Sequence, residues 1–341
     1  MKAATLAGSN SAYIEDKGMA GRRYKVSVGL PVYNGENYLE AALDSILAQT
    51  YEDFELIITD NASTDRTRDI CLDYAARDRR IRYYRNEENI GAPRNFNRAF
   101  ELSSGQYFKW AHHDDVLAPK FLAKCVEVLD DDPTIVLVHS KTARIEDGLE
   151  VVGAYDHAMR VDSPDPRIRF RDVLMVRHWC YEQFGVIRAQ TLQSMPLFGA
   201  YIASDRRFMA ELALLGRWYI IPEYLFYRRQ HPQAASNIWP LQARAAWFDP
   251  RVTAVLSFPH FKEVAEYVKC LQRVPLDWSV RLDCYRTLSH FCRLNRRHLM
   301  DDLWIAAIKA LNRSRGGRRL IGWTKRMRGR IAGLPSERHS N

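Results

Sequence analysis

The stretch KVSVGLPVYNGENYLEAALDSILAQTYEDFELIITDNASTD, Lys25 to Asp65, decides the fold. KVSVGL and FELIIT are short β-branched and apolar runs. The segment between them places Leu39, Leu43, Ile46 and Leu47 on one helical face. Pro31 reads as the end of the first run. Each run leads directly into a polar cluster, PVYN (Pro31 to Asn34) or TDNASTD (Thr59 to Asp65).

The same alternation continues through STDRTRDICLDYAARD, IRYYR, PRNFNRAFELSS (closed by Gly105), QYFKWA, APKFLAKCVEVLDD and TIVLVHS. Strands and helices alternating at this spacing predict right-handed crossovers and an α/β fold, its mainly parallel sheet covered on both faces. After Glu146 the pattern loosens. PRIRFRDVLMV and SDRRFMAELALLG read as helices and WYIIPEYLFYRR as a strand. From Leu241 the pattern is helical, broken at Pro250, Pro259 and Pro275. The expected organisation is a flexible leader over 1–24, an α/β domain over 25–237 and a helical, basic extension over 238–341.

Of the 341 residues, 47% are apolar and 27% charged, the composition of a soluble globular protein. Cys71, Cys125, Cys180, Cys270, Cys284 and Cys292 form no C-x-x-C pair, which argues against a zinc ribbon or redox motif and for buried, reduced thiols. The first residues lack the apolar core of a signal peptide, and no run approaches the ~18 apolar residues of a membrane span, so a cytoplasmic protein is expected. Nine Lys/Arg and no Asp or Glu lie between Leu303 and Ser336, matching the formal net charge of +9. Charge therefore directs any electrostatic partner to the tail.

A third polar cluster, HHDD (His112 to Asp115), also follows a predicted strand. Ligands of open parallel sheets bind beyond the carboxyl ends of the strands, so three such clusters mark one site. Neither G-x-x-x-x-G-K-[ST] nor G-x-G-x-x-G is present, and a phosphate-bearing ligand then needs a cation, which adjacent carboxylates suit. Capping competes for some of these residues. Ser63, Thr64 and Asp65 fit a helix start, and Asp115 fits the cap of a helix beginning near Ala118.

Together VSVGLPVYNGENYLEAALDSILAQTYEDFELIITDNASTD and HHDDVLAP resemble the family 2 glycosyltransferases of the GT-A fold, over roughly Lys25 to Asn237. The resemblance implies an inverting transfer from a nucleoside diphosphate sugar. It places Pro31, Tyr33, Asn34, Glu36, Asp60, Arg94, His113 and Asp114 around the nucleotide. Tyr33 would stack on the base and Asp60 would accept from an imide N–H, favouring uracil or thymine. Ordinary packing for Tyr33, a turn role for Asp60 and a solvated Arg94 remain open beside those roles.

The family's Asp-x-Asp metal motif falls on His112 and Asp114, an imidazole replacing its first carboxylate. His112, Asp114, Asp115 and His231 are thus the expected ligands of Mn2+ or Mg2+, and manganese accepts imidazole the more readily. SDRRF resembles the family's Glu-Asp motif, with Ser204 in place of the glutamate and Asp205 as the base. QFGVIR resembles the glycine loop near the donor sugar, with Gly185 allowing close backbone approach.

The acceptor, a glycan, lipid-linked or small-molecule hydroxyl in glycan or polysaccharide biosynthesis, is left to the irregular stretch from about Asp147 to Tyr201. In the tail, Trp304, Leu320, Ile321, Trp323, Met327 and Ile331 alternate with basic residues. Such mixtures suit an anionic membrane surface, peripherally at its inner face, better than nucleic acid, and an ordinary solvated helical tail stands ahead of either reading. A non-catalytic module of the same fold, with a membrane- or nucleic-acid-binding tail, is the alternative reading.

Overall fold

The computed structural model describes residues 23–147, 149–234, 247, 248, 250 and 258–313. β1 (Val26–Val32), α1 (Leu39–Leu47) and β2 (Phe54–Asp60) form the first crossover unit, and both strands are buried along their whole length. A strand covered on both faces needs no polar alternation, hence the near-continuous apolar runs. α2 (Thr67–Arg77) leads to β3 (Ile81–Arg85), and α3 (Ala92–Glu101) to β4 (Tyr107–Trp110).

Pro31 does not end β1, contrary to its reading as a terminator. It stays in register with Thr59 of β2, whereas pairing with β4 stops at Gly29. No further ladder bond on the β4 side calls for the N–H that proline lacks.

β5 (Val116–Leu117) and α4 (Phe121–Asp131) precede β6 (Ile135–Ile145), which pairs antiparallel with β7 (Val151–Tyr155). α5 (Pro166–Met175) is capped by Asp165, whose side chain accepts from Arg167 N. A 3-10 turn, Tyr181–Phe184, delivers β8 (Val186–Arg188). Then follow α6 (Ala189–Gln193), α7 (Ser204–Leu215) and β9 (Arg217–Arg229). The sheet order is β3-β2-β1-β4-β8-β6-β9-β5, with β7 on β6.

The long pairings are parallel, as expected, but β8 lies antiparallel between β4 and β6. Two reversals restore the direction of β6, and β9 runs parallel to it. The carboxyl ends of β1, β2, β4, β6 and β9 therefore share one edge of the sheet.

In the extension, α8 (Pro259–Arg273), α9 (Trp278–Leu294) and α10 (Arg296–Arg313) are helical, as expected. α8 packs on α7 and α9 packs on α5. Arg273 donates to both carboxylate oxygens of Glu211 on α7, at 2.6 and 2.8 Å. Trp304 is exposed on α10. The leader through residue 22, the boundary expected at 237/238 and the tail from 314 onward, with Leu320, Ile321, Trp323, Met327 and Ile331, lie outside the described residues.

Candidate active site

The loops after β1 and β2 are tied into one unit. Backbone N–H groups of Asn34, Gly35 and Glu36 donate to Ser63 Oγ (2.9 Å), Thr67 Oγ1 (2.8 Å) and Asp65 Oδ2 (3.1 Å). In return Asn34 Oδ1 accepts from Thr64 N (2.9 Å) and Glu36 Oε2 from Arg66 N (3.0 Å). Asp65 also accepts from Thr67 N at the start of α2, while Ser63 and Thr64 serve the loop–loop tie. Tyr33 stands at the tip, 45% exposed, while Pro31 is buried in β1.

Asp60 is fully buried beneath this unit. Its Oδ1 accepts from Ser63 N (2.8 Å), and its Oδ2 accepts from Tyr83 Oη (2.7 Å) and Arg85 Nη1 (3.0 Å).

After β4 the chain presents His112 to Asp115. His113 lies against the β1 loop so closely that a Cβ on Gly35 would sit 2.7 Å from its ring. Burial, more than its charged neighbours, holds the His113 imidazole below the ordinary histidine range. Asp114 and Asp115 are both buried. Asp115 caps no helix: α4 starts at Phe121, and Asp115 Oδ1 instead accepts from Arg228 Nη1 (2.9 Å) and Arg229 N (3.0 Å) on β9. Leu117 belongs to β5, so the chain is still extended where the cap was expected.

Two buried oxygens here, Asp114 Oδ1 and Asp115 Oδ2, have no hydrogen-bond partner. His112 Nδ1 is 3.5 Å from the first and 3.7 Å from the second. One ligand atom from each of the three side chains lies within 4.8 Å of the others. Buried carboxylate oxygens left without donors beside an imidazole fit a divalent cation, and the donor set suits manganese better than magnesium.

His231 is brought to the same aspartate on its other oxygen: Nε2 lies 2.9 Å from Asp114 Oδ2. That hydrogen bond raises its pKa. Burial opposes the charge on Asp114, but His112, His231 and Arg228 outweigh it and hold its carboxyl well below the usual carboxylate range. Arg229 Nε donates to Asp114 O (3.0 Å), and its guanidinium lies over the Tyr38 ring.

Asp205 and Ser204 open α7, after Ala203 at a φ of 67°. Asp205 Oδ1 accepts from Arg206 N at 2.9 Å. Burial, then the charges of Asp205 and Glu182, push the Cys180 thiol up. The 3-10 turn reaches the acidic cluster, for the Phe184 ring centroid is 4.2 Å from that of His112. At Gly185 the close approach is to β6, since a Cβ there would meet Val138 O at 2.4 Å. Arg94 is exposed in the first turn of α3.

Residues 27–189 match the family model described as glycosyl transferase family 2. The chain carries a family 2 glycosyltransferase domain. An uncharacterized glycosyltransferase of Rickettsia typhi is 33% identical over 142 residues, which are 42% of this chain and 42% of that one. One of Haemophilus influenzae is 26% identical over 219 residues, 63% of this chain and 68% of that one. The chain thus spans about two-fifths of the length of the Rickettsia typhi protein. Residues 1–349 of S. aureus TarS in complex with UDP-GlcNAc superpose with a TM-score of 0.59 at 18% identity, covering 84% of this chain and 81% of that one. A mannosyltransferase of Pyrobaculum calidifontis in complex with GDP-Man and Mn2+ gives 0.51 at 18% identity, covering 90% and 81%. These likenesses show the fold, which is the GT-A fold.

Within the glycosyltransferase domain, sequence reasoning missed Arg228, Arg229 and Phe184. The first two stand in YRRQH, the stretch that contains His231. A basic pair at a strand end two residues before that histidine was a usable signal. Phe184 carried none, because only the fold brings its ring to His112.

Proposed function

We propose that this chain transfers a sugar from a nucleoside diphosphate sugar of the uridine or thymidine type to an acceptor hydroxyl, inverting the anomeric carbon. The observation that carries the reading is the pair of unsatisfied oxygens, Asp114 Oδ1 and Asp115 Oδ2, facing His112 at the carboxyl edge of the sheet. His112, Asp114 and Asp115 would hold a divalent cation, Mn2+ before Mg2+, and its positive charge would stabilise a departing diphosphate.

The chain's own side chains do the rest. Tyr33 offers a ring face to the base at the loop tip, beside Pro31, Asn34 and Glu36. Asp60 Oδ1, with one donor so far, has capacity for an imide N–H. His113 packs beside the nucleotide. Arg94 and His231 add positive charge, His231 through Asp114 Oδ2. Asp205, in the first turn of α7, takes the proton from the acceptor hydroxyl. Ser204 and Gly185 stand on the donor and acceptor side.

The acceptor is a glycan, lipid-linked or small-molecule hydroxyl, in glycan or polysaccharide synthesis at the cytoplasmic face of a membrane. Among the described residues no helix is long and apolar enough to cross one, and the basic tail is the candidate contact. A non-catalytic module gains no support from a cluster with its oxygens left open.

A thermal-shift series tests the base and the metal together. Ligand that binds only the folded state raises the apparent stability. UDP or TDP with manganese should raise Tm more than GDP does, and an equal or larger shift with GDP overturns the base assignment. Sugar release from the donor, with and without manganese, decides between enzyme and module.

A further inference from the structure

Away from the acidic cluster, a cavity of about 290 Å³ lies between the segment 155–162 and strands β6 and β9. Its lining includes Tyr155, His157, Glu182 and Trp218, with Lys141, Asp156 and Asp162 as further charged residues. Two of these carry buried polar atoms without a partner. Glu182 is 2% exposed, and its Oε1 meets His157 Nε2 at 2.8 Å while its Oε2 has no donor. Trp218 is 0% exposed and its indole Nε1 has no acceptor. Native structures rarely leave such groups bare, because each then bears its full desolvation cost.

The two orphans specify a ligand class. A carboxylate oxygen only accepts, and an indole N–H only donates. An ammonium group satisfies the first and not the second. A carboxylate or phosphate satisfies the second and is repelled by the first. A hydroxyl does both, so a molecule bearing several hydroxyls satisfies the pair without net charge. The volume is far above the ~30 Å³ share of one water and at the lower end of small-ligand pockets, roughly 300–1,000 Å³. Tyr155 and Tyr219 add aromatic surface suited to the C–H face of a pyranose.

We propose that this cavity binds one neutral sugar ring of the acceptor, Glu182 Oε2 accepting from one hydroxyl and Trp218 Nε1 donating to another. That the ring belongs to the acceptor rests on the transferase reading. The ring's binding does not. Glu182 and Phe184 share the 3-10 turn, and Phe184 packs on His112, so an occupied cavity is joined to the acidic cluster by a single turn.

The test uses the full chain without nucleotide, titrated with methyl glycosides of glucose, galactose, mannose and N-acetylglucosamine, followed by saturation-transfer NMR and calorimetry. At least one should bind, while methyl glucuronide, whose carboxylate is repelled by Glu182, should not. Trp218→Phe should weaken that binding about 3- to 10-fold, the loss of one neutral hydrogen bond, and Glu182→Gln should weaken it too. Both variants should keep the thermal shift given by nucleotide with manganese. Should Glu182→Gln not fold, Trp218→Phe carries the test alone.

The proposal falls if no neutral glycoside binds, if Trp218→Phe leaves binding unchanged, or if methyl glucuronide binds tighter. Glycoside binding without sugar release from any donor would uphold the cavity and sink the transferase reading. Sugar release without Trp218-dependent binding would do the reverse.

Discussion

Asp114 and Asp115 are adjacent buried carboxylates, and like charges at such range repel each other. Arg228 answers both, at 3.4 Å from Asp114 Oδ2 and 2.9 Å from Asp115 Oδ1. His231 adds a hydrogen bond to the former. These partners occupy one oxygen of each aspartate and leave the other turned to His112. Asp114→Asn should therefore abolish the manganese-dependent part of the nucleotide thermal shift. His112→Asp should strengthen magnesium use by restoring an oxygen ligand. Should both variants behave like the parent, the cluster is structural.

Three residues earlier, Lys109 is fully buried on β4, between the rings of Phe121 and Phe226. Its ammonium donates to Trp110 O and Phe184 O, and burial lowers its pKa to about 7. Unfolded lysine titrates near ~10.4, so between those values the unfolded chain binds the extra proton and stability contributed here rises with pH. Relative to Lys109→Met, the native protein should gain stability from pH 7 to pH 10, by at most about 1.4 kcal/mol per pH unit. Urea titrations across that range check it, and a flat difference would mean the amine stays charged in the fold.

At the scale of elements, α7 joins the two parts of the chain. Its first turn offers Asp205 to the site, while Glu211, two turns on, is 1% exposed and binds Arg207 on its own helix and Arg273 on α8. Arg207 also donates to Pro196 O (2.6 Å) and to Leu197 O, which fixes the segment before α7. Removing one member of a buried ion network leaves uncompensated charge, typically at a cost of ~3–5 kcal/mol. Glu211→Ala should lower unfolding stability by about that amount, as read by urea denaturation, and Glu211→Gln by less. A loss below about 1 kcal/mol would show that α8 is held by its apolar face alone. Tyr267, Cys270 and Leu271 form that face, and α8 packs on α7.

For the whole molecule, the charge excess and the chemistry are separate. Eight Lys/Arg lie from Arg313 to Arg330, past every residue named for the site. Removing residues 313–341 should abolish salt-sensitive adsorption to anionic vesicles, since each near-surface Lys/Arg contributes about 1 kcal/mol. Donor hydrolysis should persist in the truncated protein. If the intact chain ignores such vesicles at low salt, the tail is not a membrane contact. If a folded truncation loses hydrolysis, the extension shares in the active site.

By itself the sequence determined the strand–helix alternation, the parallel pairing of β1, β2, β3 and β4, and the acidic cluster after β4. These are local signals: apolar periodicity, cap residues and short polar clusters, all expressed within a few turns of chain. It determined less after Glu146, because β8 is three residues long and carries no period, and β7 is half exposed. Pro31 and Asp115 misled for the same reason. A proline is harmless once its neighbour strand has ended, and an aspartate before a helix is free to bind a distant arginine instead. Only the tertiary structure decided that Arg228 and His231, more than a hundred residues away, take one oxygen of each aspartate. It also decided that Glu182 and Trp218 line the same cavity, since a side chain's unmet hydrogen bond exists only once packing has removed water from around it.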